Sequence, residues 1–165
     1  MIWTTNGLNR TNILVLIYLF LQTERKAMGN ELKDILHQED CACVIKNQQV
    51  RRFYKRGIFD LYGVYAQERS FLQGAEVADH VVGKAAAALL VAGGAKQVYA
   101  DLISLSALML LRNAGIPTEY GQVVSYIQNH HQNDWCPMES ECYGEKSVAD
   151  MLPLIQRFVE KQKEK

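Results

Sequence analysis

Residues 78–116 read ADHVVGKAAAALLVAGGAKQVYADLISLSALMLLRNAGI, and the fold class turns on them. Val81, Ala85 and Leu89 recur every four residues, the spacing of one helix face. Val82, Ala86, Ala88 and Leu90 fill the other sides. The pattern predicts a helix from Glu76 to Val91 that is buried all round, its alanines permitting close packing on a sheet. Gly93 and Gly94 stand where a C-terminal cap belongs. Gln97 to Ile103 is then β-rich, Ser104 is a good N-cap, and Leu105 to Asn113 is helical. Gly115 ends that helix and Pro117 prevents its continuation. With Thr118 to Tyr120 as a returning strand, this is a βαβ unit with a right-handed crossover.

Outward from this unit the pattern keeps alternating. Upstream, a helix beginning near Met28 carries Leu32, Ile35 and Leu36 on one side and runs to about His37. Ala42 to Lys46 and Val50 to Tyr54 read as a hairpin turning near Asn47. Ile58 to Gln67 has helical spacing. Downstream, Val123 to Ile127 reads as a further strand and Asn129 to Asp134 as a loop. An amphipathic helix starts near Asp150, with Pro153 placed in its first turn, and Glu160 to Lys165 is a solvated tail. The nine apolar residues Ile13 to Leu21 are too short for the ~20 that span a bilayer. They divide the chain into residues 1–27, a hydrophobic leader or a start assigned too early, and residues 28–165, a single domain. A cleaved signal is disfavoured by the charges in TERKAMG. The stretch before Met28 is expected to be dispensable for folding.

Composition narrows the function classes. A 165-residue chain with 48% hydrophobic and 22% charged positions has the profile of one globular domain. Eighteen basic residues against eighteen acidic ones remove the electrostatic footprint of a nucleic-acid binder. Four unevenly spaced cysteines, at 41, 43, 136 and 142, make no disulfide framework, so a cytoplasmic, reducing location is expected. Firm membrane association is not expected; homo-oligomer formation stays open.

The stretch just quoted, with Val-Val-Gly-Lys-Ala-Ala-Ala at 81–87 and Cys-Pro-Met-Glu at 136–139, resembles domain-of-unknown-function family 1893. The likeness runs from about Cys41 to Glu139. It implies a cytidine-deaminase-like fold: a three-layer α-β-α domain of class α/β, with a mixed sheet flanked by helices. A zinc deaminase of that fold carries His-x-Glu and Pro-Cys-x-x-Cys at two helix starts, because three ligands must hold the zinc hydroxide while a glutamate moves protons. Here those places read Gly83-Lys84-Ala85 and Leu102-Ile103-Ser104-Leu105-Ser106. The resemblance thus implies the fold and argues against deamination. With both motifs replaced, no zinc and no other cofactor is expected.

Several residues could still carry chemistry. Lys84 is the only charge between His80 and Lys96. It either faces the inherited cleft with Asp79 and meets an anionic group, or passes its ammonium to the surface along a buried stem. The segment fails as a phosphate loop, since Ala78 and Ala85 stand where Gly and a hydroxyl are required. Asp101 sits near the carboxyl end of a strand, where open α/β sheets bind ligands; it would serve equally as a local capping partner. Cys136, followed by Pro137 and Glu139, occupies the cap of a short helix, where Glu139 would reach back reciprocally and the thiol would be a candidate catalytic nucleophile. His130, His131 and Asp134 lie within reach as base or orienting acid. A metal set of His130, His131, Cys136 and Cys142 matches no standard zinc spacing. Cys41 and Cys43, two apart on a strand, should share a face as small core groups.

The preferred expectation is a protein that is not a deaminase and binds a small anionic or nucleotide-like ligand through Asp79, Lys84 and Asp101. One rival is a cysteine-dependent transferase or carrier using Cys136 with Glu139. Another is a ligand-free interaction module. Whether any reaction is catalysed is left open by the residues.

Overall fold

The computed structural model describes residues 30–164, so the readings made for residues 1–27 fall outside it. Twelve elements follow in order: α1 (Asn30–Gln38), β1 (Cys43–Asn47), β2 (Gln49–Phe53), α2 (Phe59–Gln67), α3 (Arg69–Leu72), β3 (Glu76–Val82), α4 (Lys84–Gly93), β4 (Gln97–Ser104), α5 (Leu105–Asn113), β5 (Thr118–Val124), α6 (Pro137–Tyr143) and α7 (Val148–Lys163). The strands form one sheet in the order β2-β1-β3-β4-β5. The hairpin β1–β2 and the β1–β3 pair are antiparallel, whereas β3–β4 and β4–β5 are parallel. The sheet is therefore mixed, and helices cover both of its faces, as expected.

The expected helix from Glu76 to Val91 is corrected. Its first half is β3, the central strand, bonded to β1 on one side and β4 on the other. Two βαβ units result, β3-α4-β4 and β4-α5-β5. The spacing Val77, Val81, Val82 suits a helix on paper, but Gly83 is extended (φ −91°, ψ 178°) and breaks the run. Only from Lys84 does the alanine-rich segment become the buried helix the sequence implied. Gly94 ends α4 in the left-handed region at φ 76°, its N–H bonding back to the last turn.

Other boundaries shift as well. Val123 to Ile127 is not a separate strand; β5 runs without interruption from Thr118 to Val124. The last helix begins at Val148, capped by Ser147, which accepts from the Asp150 amide. Pro153 therefore lies beyond the first turn and removes one ladder hydrogen bond. Helix continues to Lys163 through most of the expected tail.

The two layers of helix are unequal. One face of the sheet carries α2, α4, α5, α6 and α7 over the main core, where Ile45, Val77, Val98 and Ala100 meet Leu89, Leu90, Leu111, Met151 and Ile155. Among the described residues the opposite face carries α1, with Leu32 and Leu36 buried against Val44 and Ala78 and flanked by Tyr99. Cys43 belongs to the first core and Cys41 to the second. The expectation that they share a face fails because Cys41 precedes β1 and so escapes strand alternation.

Candidate functional site

The space between the N-termini of α4 and α5 is closed from within. Glu139, on α6, is 1% exposed. Its Oε2 accepts the backbone N–H of Lys84 at 2.7 Å, and its Oε1 accepts the Ser106 hydroxyl at 3.1 Å. It therefore caps α4 from 55 residues away, placing a negative charge where the helix amides and macrodipole favour one. A Cβ built on Gly83 would stand 2.7 Å from Glu139 Oε2, so only glycine admits the carboxylate there. The reciprocal bond expected from Glu139 to Cys136 does not form; the Cys136 amide donates instead to the Ile127 carbonyl at 2.8 Å.

Lys84 is 8% exposed. Its ammonium donates to the Tyr143 carbonyl at 2.7 Å and to the Glu145 carbonyl at 2.6 Å. These groups lie at and just beyond the end of α6, where carbonyls lack intrahelical partners and attract a cation. Neither the anion-recognition reading nor the surface-directed one describes this arrangement, since the charge is used internally. Nor does Lys84 meet Asp79. That carboxylate accepts the Val81 amide at 2.9 Å and the thiol of Cys43, its partner across β1–β3. Burial pushes the Asp79 pKa up to about 6, against the lowering pull of those two donors.

Cys136 is the N-cap residue of α6 with Pro137 after it, as the sequence indicated, but its side chain makes no capping bond. It is half-buried, whereas Cys41, Cys43 and Cys142 are buried. Desolvation raises the Cys41 and Cys43 thiols and takes Cys142 to about 11. His130 and His131 lie in the exposed loop before α6, and among the described residues no hydrogen bond joins either to Cys136. Asp134 spends its carboxylate on the Trp135 amide at 2.7 Å. A nucleophile, base and orienting acid are thus not assembled here. Trp135 stacks on Tyr126 with ring centroids 4.3 Å apart and meets Tyr143 edge-on at 4.8 Å.

Asp101 alone among the expected ligand contacts lies in a cluster of chemically active groups, and its partners were not foreseen. His37 Nε2, at the end of α1, lies 2.8 Å from Asp101 Oδ1. His80 Nδ1, on β3, lies 2.5 Å from Asp101 Oδ2. The Tyr99 hydroxyl donates to Oδ1 at 2.7 Å. Three donors lower the Asp101 pKa against the opposing effect of burial. Since an ionised carboxylate only accepts, each imidazole presents an N–H to it. The side chains of His37, His80 and Asp101 are 46%, 41% and 32% exposed. Beside them Lys33 pairs with Glu119 and lies over the Tyr99 ring, 4.9 Å from its centroid. A groove of about 570 Å³ lined by Asn47, Arg51, Glu68 and Phe71 lies elsewhere, beside the hairpin turn. It is crossed by the Arg51–Glu68 ion pair and contains none of these groups.

The signal for this cluster is strand alternation. Ala78 and His80 share one face of β3, as Tyr99 and Asp101 do on β4, and α1 lies on that face. Reading residues 76–91 as helix hides the relation.

Comparison with known proteins bears on the fold. The sequence profile of a domain of unknown function, DUF1893 (TM1506), matches residues 31–159. Among solved structures, the DUF1893 family protein TM1506 from Thermotoga maritima superposes with a TM-score of 0.70 at 17% identity, covering 95% of this chain and 96% of that one. At that identity the likeness is one of fold. No curated protein matches the sequence.

Proposed function

Because the chain belongs to the DUF1893 family, we propose that it is a small-ligand-binding protein on a cytidine-deaminase-like fold and not a zinc deaminase. The observation that carries the reading is Glu139. Deaminases of that fold hold zinc and substrate at the starts of two helices that follow parallel strands. In this chain the corresponding helix starts, α4 and α5, are joined by a buried carboxylate bonded to Lys84 and Ser106. With Lys84 also engaged, binding moves to the other face of the sheet, where His37, His80, Tyr99 and Asp101 remain half accessible. There Asp101 can take hydroxyl or amino donors, while the imidazoles can meet an anionic group of a nucleotide-like metabolite. The four free cysteines support a reducing, cytoplasmic setting.

Native mass spectrometry of the full chain, purified without added ligand, tests the reading. A small-molecule adduct that is lost in Asp101→Asn and retained in Cys136→Ser is the expected result. Incubation with cytidine or adenosine should release no ammonia, with or without added Zn²⁺. Deamination that depends on Glu139, or an adduct covalent to Cys136, would overturn the reading, the latter in favour of a cysteine-dependent carrier.

A further inference from the structure

We propose that His37, His80 and Asp101 form a binding site for one divalent first-row transition-metal ion, which ties α1 to strands β3 and β4. The inference deepens the reading above and rests on its assignment of the binding face. The ligand atoms, one from each of the three residues, all lie within 4.8 Å of one another. They come from three separate elements and converge on one point, with each imidazole directed at a different oxygen of the same carboxylate. Two neutral imidazoles and one carboxylate are a donor set suited to zinc, cobalt(II), nickel(II) or iron(II), and unsuited to the all-oxygen preferences of magnesium and calcium.

Side-chain rotation brings the three groups to a metal-binding geometry. Bonds of about 2.0–2.1 Å in a tetrahedral site place neighbouring ligand atoms roughly 3.3 Å apart. The present nitrogen-to-oxygen distances are 2.8 and 2.5 Å. These two contacts, to different oxygens of the carboxylate, must open by roughly 0.5–0.8 Å, while the widest separation among the ligand atoms, up to 4.8 Å, must close toward the same value, and the half-exposed imidazoles can turn to do both. The protons now on His37 Nε2 and His80 Nδ1 pass through solvent to the opposite ring nitrogens, so each ring stays neutral while its lone pair meets the metal. Water takes the remaining coordination position and leaves it open to an anionic ligand group. The Tyr99 hydroxyl, donating to Asp101 Oδ1 at 2.7 Å, supplies the outer hydrogen bond that orients a ligating carboxylate.

The ion also has a structural consequence. Among the described residues helix α1 is the sole helix on its face of the sheet, held by a small apolar cluster around Leu32 and Leu36. A metal joining His37 to His80 and Asp101 adds a link across that seam, and binding to the folded state alone raises stability by mass action.

The test uses the full chain and Co²⁺, whose visible absorption reports nitrogen and oxygen ligation. The expected results are saturation at one Co²⁺ per chain, displacement by Zn²⁺ but not by Mg²⁺, and a rise of several degrees in Tm at saturating metal. Asp101→Asn, His37→Gln and His80→Gln should abolish the absorption bands, while Tyr99→Phe should weaken binding by about 10–100-fold. The variant His131→Gln, in the exposed loop, should bind as the parent does. If Asp101→Asn fails to fold, His37→Gln, changed at the exposed end of α1, decides the matter alone. Absence of Co²⁺ bands in the parent, or bands that survive loss of both His37 and His80, overturns the metal site. A ligand adduct that still requires Asp101 under those conditions would leave the binding face standing. Loss of both overturns the two readings together. A purely structural hydrogen-bond network predicts equal loss of Tm in His37→Gln with and without metal, and that result also overturns the proposal.

Discussion

The carboxylate of Glu139 and the backbone N–H of Lys84 meet at 2.7 Å, so α6 caps α4 with a buried charge drawn from 55 residues away. The same pair of helices is joined a second time in the opposite sense, as the Lys84 ammonium reaches the two carbonyls at and beyond the end of α6. Anion to helix start and cation to helix end are both the favourable pairings with the macrodipole.

Gly83 and Glu139 should behave as a coupled pair. Glu139→Ala removes a buried charge-assisted bond and leaves a cavity, a loss of about 2–4 kcal/mol. Gly83→Ala drives a methyl to within 2.7 Å of Glu139 Oε2 and should cost about 1–3 kcal/mol in the parent. In the Glu139→Ala background most of that second cost should vanish, because the nearest colliding atom is gone and only the Ile127 Cγ1 contact at 3.3 Å remains. Urea unfolding of the four species measures the coupling; simple additivity would show that the contact carries no strain.

Lys84→Met should lower stability. A methionine fills the stem's volume, yet it leaves the part-buried Tyr143 and Glu145 carbonyls without their donor. A loss of about 2–3 kcal/mol is expected from the urea midpoint, with no effect on an adduct that depends on Asp101. Unchanged stability would mean that water replaces the ammonium freely.

Asp79 makes stability fall as pH rises through the mildly acidic range. Its folded pKa of about 6 lies above the ordinary 3.8, so between these values the folded chain holds the extra proton. Stability contributed by that proton is complete below pH 3.8 and lost above about 6. Asp79→Asn cannot ionise. Relative to the parent, it should therefore gain on the order of 3 kcal/mol between pH 3.5 and pH 8. Urea midpoints of both proteins across that range test the sign, and parallel curves would contradict it. Comparison with the variant cancels groups that titrate in both, including Asp101, whose lowered pKa acts in the opposite direction.

Cys136 should be the first thiol to react in the folded protein. It is half-buried, while the other three are buried with pKa values raised by desolvation. Substoichiometric iodoacetamide at neutral pH, followed by peptide mapping, should place most of the label on it. Preferential labelling of Cys142 would show that the packing around α6 opens more readily than its burial implies.

The sequence by itself determined the features that rest on local chemistry. Ser104 caps α5 by accepting the Ala107 amide, Gly94 ends α4 with a positive φ, Pro137 opens α6, and the hairpin turns between Asn47 and Gln49. Each follows from one residue's own backbone preference or hydrogen-bonding reach, so neighbours in the chain suffice to show it. The α/β class followed too, because two apolar periods alternate along the chain. Tertiary structure decided what long-range pairing alone can settle. Glu76 to Val82 is a strand because β1 and β4 bond to both of its edges, although its valines satisfy a helical period equally well. Asp101 meets His80 across 21 residues and His37 across 64, and no local spacing encodes that convergence. Considered singly, the helices of Lys84 and Glu139 offer the lysine an anion or the surface and the glutamate the local cap at Cys136. Packing α4 against α6 turned them into each other's caps, since a buried charge is tolerated only where the fold supplies its partners.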